Sequence, residues 1–197
     1  WSLGQEAAST WDYYKLWLNG ATFGDAQRSW AREAILEVFM QGWMSGVSPI
    51  SFAPDAALTR AQAAAILVRM AGLTPAKSAA TFTDSTSHWA RAYIDTAKKY
   101  GIVSGTSAGT FEPDRPVTRA EMAVMLEGLL RCPAATKSFY DVTEAQYPWA
   151  YDAICALKAE GILTGYEDGS FKPQNTLTRA EAAALITRID PAAIVLQ

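Results

Sequence analysis

The chain has 197 residues, half of them apolar, which is enough to bury one substantial core or a few small ones and argues against disorder. Seventeen Lys and Arg against twenty Asp and Glu leave a formal net charge of −3, so no broad positive field is available and nucleic acid is not an expected partner. Cys132 and Cys155 are the only cysteines, too few for a disulfide scaffold and without metal-knuckle or CxxC spacing. They read as semi-buried thiols, with a bridge open to them only in an oxidising compartment.

Residues 1–22 carry Trp1, Trp11, Tyr13, Tyr14, Trp17 and Leu18, an aromatic density that predicts a helix packed on the rest of the chain, or the end of an upstream domain. No uncharged apolar stretch is long enough to cross a bilayer, so no membrane insertion is expected. The chain opens on Trp1 without Met and without a signal-peptide pattern, which reads as a mature or excised piece.

From residue 23 onward one pattern recurs three times, in units 23–73, 82–131 and 139–190. Phe23-Gly24-Asp25 returns as Phe82-Thr83-Asp84 and Phe139-Tyr140-Asp141. A Trp-Ala pair follows each: Trp30-Ala31, Trp89-Ala90 and Trp149-Ala150. Two glycines come next, Gly42 and Gly46, Gly101 and Gly105, Gly161 and Gly165. Phe52-Ala53-Pro54, Phe111-Glu112-Pro113 and Phe171-Lys172-Pro173 then lead into Leu58-Thr59-Arg60-Ala61-Gln62, Val117-Thr118-Arg119-Ala120-Glu121 and Leu177-Thr178-Arg179-Ala180-Glu181. From Trp to Arg the copies align without a gap. A repeat of this kind defines the unit of the fold.

In each unit a first helix should begin near Trp-Ala, carry Ile35, Ile94 or Ile154 inward, and stop at the first glycine, where a left-handed cap costs glycine nothing. A loop or hairpin comes next, closed in the third unit by an Asp168-Gly169 turn, and the Pro after Phe forbids helix there. The second helix starts at Thr, because Thr-x-x-Glu/Gln is a capping box. It runs through Ala64, Ala123 and Ala183 to Leu67, Leu126 and Ile186, an apolar stripe at helical spacing. Thr74–Ala80 and Cys132–Lys137 read as linkers, and Pro191–Gln197 as a closing segment. The fold class is therefore all-α: three helix-loop-helix repeats in a pseudo-threefold arrangement, each too small to bury its own face, with an open solenoid as the less favoured alternative.

Arg60, Arg119 and Arg179 stand at the first helical residue, where the macrodipole disfavours a cation and something must offset it. A guanidinium beside free helix-start amides is a receptor for carboxylate or phosphate. The competing reading is an ion pair with a nearby Asp or Glu, such as Asp25, Asp84 or Asp141 of an adjacent unit. Trp30, Trp89 and Trp149 could stack on a sugar face or pack in the core. Gly46, Gly105 and Gly165 are turn residues that also allow close approach of a ligand to the backbone. Asp168 lacks the further carboxylates of a calcium loop, and no metal or cofactor is expected. His88 is the sole histidine, replaced by Ser29 and Pro148 in the other units, and Glu121 and Glu181 are already explained by capping, so no enzyme is expected.

The series Phe-x-Asp, Trp-Ala, Gly-x-x-x-Gly, Phe-x-Pro and Leu-Thr-Arg-Ala-Glu resembles the S-layer homology domain family over residues 23–190, best at Val117–Glu121 and at Gly165–Glu181. The resemblance implies a central helical bundle displayed at the bacterial cell surface. It implies grooves between repeats that hold secondary cell wall polysaccharide, an anionic glycan ending in pyruvylated N-acetylmannosamine, and fusion to an S-layer protein or surface enzyme. Carried over by position, each groove would join Arg60 with Asp84 and Trp89, Arg119 with Asp141 and Trp149, and Arg179 with Asp25 and Trp30. Gly42-Trp43-Met44-Ser45-Gly46 and Gln62 depart from the pattern, as do the extra residues between Asp141 and Trp149, which points to weaker grooves at Arg60 and Arg179. The alternatives are a helical scaffold for a protein partner and a peptidoglycan-binding module.

Overall fold

The computed structural model describes residues 23–78 and 82–194. The aromatic segment expected over residues 1–22 lies outside the described residues. Among the described residues there are six α-helices, three short 3-10 turns and no β-strand: α1 Arg32–Met40, α2 Arg60–Met70, α3 Arg91–Lys99, α4 Arg119–Leu130, α5 Tyr151–Ala159 and α6 Arg179–Ile186. None of these helices is long and apolar enough to cross a membrane.

Local chemistry sets the helix limits. The capping boxes form at Thr59, Thr118 and Thr178. Each Thr Oγ1 accepts the amide of Gln62, Glu121 or Glu181 at 3.1–3.2 Å, and each Thr amide donates back to that side chain at 2.8–3.2 Å. The first helices end where Gly42, Gly101 and Gly161 turn left-handed, at φ 71°, 73° and 72°. Their starts are secured differently: Ser29 Oγ accepts from Ala31 N, His88 Nδ1 from Ala90 N, and the Tyr147 carbonyl from Ala150 N. His88 thus orders the turn that leads into α3, with its Nε2 3.1 Å from Asp114.

The units close on one another in a cycle. Leu58 N donates to Leu177 O at 2.8 Å, Leu177 N to Val117 O at 3.1 Å, and Val117 N to Leu58 O at 2.9 Å. The helix starts are shared in the opposite sense, each unit donating to the next. Ala61 N reaches Pro113 O, Ala120 N reaches Pro173 O, and Ala180 N reaches Pro54 O, all at 2.9–3.0 Å. These pairings use amides that a helix start leaves without an intrahelical partner. Helix contacts obey the same cycle: α2 packs on α3, α4 on α5, and α6 returns to α1. That return contact is incompatible with an open solenoid.

One continuous core results, drawn from all three units. Phe52, Phe111 and Phe171 are fully buried with Ile35, Ile94 and Ile154, each such side chain contributing about 1.5–3 kcal/mol by leaving water. Buried alanines at the starts of α2, α4 and α6 let these helices approach closely. The 74–78 part of the first linker is tied down by Ala76 N to Thr96 Oγ1 and Ser78 N to Asp95 Oδ2, both 3.0 Å. Cys132 and Cys155 are free thiols.

Candidate functional site

The arginine at each helix start reaches across to the loop of the next unit. Arg60 Nε donates to Phe111 O at 2.8 Å, Arg119 Nε to Phe171 O at 2.7 Å, and Arg179 Nε to Phe52 O at 2.8 Å. Each guanidinium lies over the ring of that same Phe, at 4.5–4.7 Å from the centroid. These contacts supply the offset that a cation at a helix N-terminus requires.

The accepting Phe carbonyl is held by the aspartate of its own unit. Asp25 accepts Phe52 N at 2.9 Å and Ala53 N at 2.7 Å, Asp84 accepts Phe111 N at 3.0 Å and Glu112 N at 2.7 Å, and Asp141 accepts Phe171 N and Lys172 N, both at 2.8 Å. Ala53, Glu112 and Lys172 all sit at φ 54–57°, a left-handed conformation that costs a side-chain-bearing residue energy, and the carboxylate grips the amide of that strained residue. Burial pushes the Asp25 carboxyl up, but the amides of Phe52 and Ala53 and the Ser51 hydroxyl outweigh it and hold it below its ordinary value. The aspartates therefore shape the Phe-x-Pro loop, and none of them makes an ion pair with the three arginines.

Each arginine forms one wall of a groove to which all three units contribute. Arg60 lines a groove with Gly105 and Trp149, Arg119 one with Gly165 and Trp30, and Arg179 one with Gly46 and Trp89. The Trp thus comes from the second unit along, whereas transfer by position pairs Arg60 with Trp89, Arg119 with Trp149 and Arg179 with Trp30. The reason is geometric. The arginine crosses to the next unit's loop, and the second helix of that unit packs on the first helix of the unit after it, which carries the Trp at its start. Trp30, Trp89 and Trp149 are 71%, 60% and 52% exposed, so they belong to the groove rims and not to the core.

The glycines at 46, 105 and 165 line these grooves but are fixed by their own hairpins. A Cβ on Gly105 would lie 2.5 Å from Ser107 O and 2.6 Å from both Thr110 O and Phe82 Cε1.

The grooves differ in charge. Arg60 is buried and engaged by Glu121 Oε1 at 2.9 Å and Ser104 O at 3.0 Å, and Glu121 is also held by Arg115, itself paired with Glu112. Burial pushes the Glu121 carboxyl up, but Arg115, the Thr118 amide and Arg60 together hold it below its ordinary value. Burial lowers the pKa of Arg60 and Arg179, opposed by Glu121 in the first and Asp25 in the second. Arg179 has Ser45 O at 2.6 Å as a second partner and Gln62 where Arg60 meets Glu121. Arg119 is the most accessible of the three. Its terminal nitrogens have no hydrogen-bond partner among the described residues, and Tyr166 stacks on it at 4.8 Å. The sequence did not single out Arg69, Arg115, Arg188 or Tyr166 as groove residues. Arg69 and Arg188 stand about two helical turns after Gln62 and Glu181, Arg69 on the same face of α2 and Arg188 in the turn that follows α6.

Among the described residues, no three His, Cys, Asp or Glu side chains cluster to hold a metal ion. Comparison with known proteins gives a family model, the S-layer homology domain, that matches residues 22–64, 81–123 and 138–183. Cell surface glycoprotein 1 of Acetivibrio thermocellus is 35% identical over 164 residues, covering 76% of this chain and 7% of its own length. The cellulosome-anchoring protein of the same organism is 35% identical over 159 residues, 76% of this chain and 35% of its own. S-layer protein sap of Bacillus anthracis is 31% identical over 179 residues, 87% of this chain and 21% of its own. The chain thus spans about a third or less of each relative.

Proposed function

The chain belongs to the S-layer homology domain family, and from its grooves we propose that it is a non-catalytic anchor which binds an acidic secondary cell wall polysaccharide through a terminal pyruvylated N-acetylmannosamine. The family and its surface-anchoring relatives put it outside the cell, at the surface or wall. An S-layer protein or surface enzyme on the same polypeptide belongs to this reading.

The observation that carries the glycan assignment is the arrangement in each groove of a ring-stacked arginine beside an exposed tryptophan. A carboxylate on the sugar would meet the guanidinium, and the pyranose C–H face would lie on the indole. The loop carbonyls that fix the Arg Nε pre-orient the fork, so little entropy is lost on binding.

Calorimetric titration with pyruvylated and pyruvate-free glycan tests the assignment. Binding should require pyruvate and should weaken in Arg119→Ala, the variant least able to disturb the fold. Arg60→Lys and Arg179→Lys, which keep the charge but lose the fork, should weaken it wherever their grooves are in use. Equal binding of both glycans, or none, would overturn the assignment in favour of peptidoglycan or a protein partner.

A further inference from the structure

Each groove is floored by one face of a second helix, and the same four positions recur along it, the fourth falling just past the helix end in the third unit. In the groove that receives Arg179 they are Gln62, Ala65, Ile66 and Arg69. In the groove that receives Arg119 they are Glu181, Ala184, Leu185 and Arg188. In the groove that receives Arg60 they begin Glu121, Val124 and Met125, and the fourth position is Gly128, so the second cation there is Arg115 from the loop. The charged linings are therefore two arginines with no acid at Arg179, two arginines with Glu181 at Arg119, and two arginines with Glu112 and Glu121 at Arg60. Asp25, Asp84 and Asp141 hold equivalent places in the three units, each spent on two loop amides, and Asp25 also acts on Arg179 from outside the groove lining.

We infer that the capping-box residue at the head of each groove helix, Gln62, Glu121 or Glu181, is the specificity-determining position that ranks the three grooves for a carboxylated ligand, with Arg179 first, Arg119 second and Arg60 last. This inference rests on the acidic-glycan reading.

The physical reason lies in what the residue does besides capping. Gln62 satisfies the Thr59 amide through its oxygen at 3.2 Å, which leaves its NH2 as a donor without charge. Glu121 satisfies Thr118 with Oε2 and spends Oε1 on Arg60 and Arg115, so it already occupies the guanidinium that an incoming carboxylate needs. A ligand carboxylate at Arg60 must displace that internal one and leave Glu121 to Arg115 and the Thr118 amide alone. Glu181 makes no ion pair within 4.0 Å among the described residues, so it opposes an anion through its field alone. Size would predict the reverse order, since the Arg60 groove is the largest at about 570 Å³, against about 250 Å³ at Arg119 and about 140 Å³ at Arg179. The ranking thus separates charge from volume.

Among the described residues each groove holds one tryptophan, so the indole N–H resonances of Trp89, Trp30 and Trp149 report the Arg179, Arg119 and Arg60 grooves separately. The probe is pyruvylated N-acetylmannosamine, with its methyl ester as neutral control. In the wild type the acid should titrate Trp89 at the lowest concentration and Trp149 at the highest, and the ester should abolish the order. Gln62→Glu should weaken the Trp89 response by about tenfold, and Glu121→Gln should strengthen the Trp149 response by a similar factor. Both exchanges keep the cap, because each installs a residue that already closes a capping box elsewhere in this chain. Wild-type binding that is indifferent to both exchanges, or that tracks groove volume, would overturn the inference and leave the glycan reading intact. No indole response to the acid in any variant would overturn the reading, and the inference with it.

Discussion

Replacing Asp141 by alanine removes one acceptor from two backbone donors at once. Its two oxygens take the amides of Phe171 and Lys172 at 2.8 Å each, and Lys172 is held at φ 54°. A bond to a charged partner contributes about 1.5–3 kcal/mol, and a buried donor left without one costs its desolvation. Asp141 is half-buried, so water reaches part of the site and the lower end applies to each bond. The two together come to about 3 kcal/mol, a large share of the 5–15 kcal/mol typical of a folded domain. With a urea slope of about 1–3 kcal/mol per molar, the unfolding midpoint should fall by about 1–3 M. Asp141→Asn keeps an acceptor for one amide and should lose about half as much. Amide exchange should accelerate first at Phe171 and Lys172. Since the Phe171 carbonyl also orients Arg119 through Nε, glycan binding at that groove should weaken in variants that remain folded. A stability loss under about 1 kcal/mol, with exchange at the two amides unchanged, would refute this account of the aspartate.

The hairpin glycines and the acid side of the stability curve supply further checks. Gly105→Ala drives a Cβ into two backbone carbonyls and the Phe82 ring and should cost about 1–3 kcal/mol, whereas Gly109→Ala, with nothing within 4 Å, should leave the thermal midpoint nearly unchanged. Equal midpoints for the two would remove the steric account. Glu121 and Asp25 are held below their ordinary values of 4.5 and 3.8, so the stability they contribute is present above those values and lost as pH falls through their lower, folded-state values. Urea midpoints measured from neutral pH downward should decline there, and Glu121→Gln should decline less. A decline as steep in that variant would show that the Arg60–Glu121–Arg115 cluster contributes no acid sensitivity.

Much of the fold is legible because its punctuation is local. A Thr three residues before Glu or Gln starts a helix by chemistry contained in four residues, and Gly42, Gly101 and Gly161 stop one by a backbone freedom that glycine carries wherever it stands. The left-handed turn at Ala53, Glu112 and Lys172 was hidden for the opposite reason. Alanine, glutamate and lysine do not announce that conformation, and the carboxylate gripping it comes from 28 to 31 residues away.

The grooves show the same division. Position alone singled out Arg60, Arg119 and Arg179, because a cation at a helix start is an oddity that one helix exhibits. Their tryptophans could not be assigned by position, since neighbouring units in the chain are the natural first guess and the contact spans two steps of a closed cycle. Once Leu58, Val117 and Leu177 join in a ring, unit three is as near to unit one as unit two is, and Arg119 meets Trp30 across that return. The same closure moves Gln62 into the groove of Arg179. A residue that departs from the pattern on paper, and suggested a weaker site, leaves that groove as the one lined by two arginines and no carboxylate. A departure from a repeat pattern therefore says little until the element it faces is known, because the neighbour it acts on belongs to another copy.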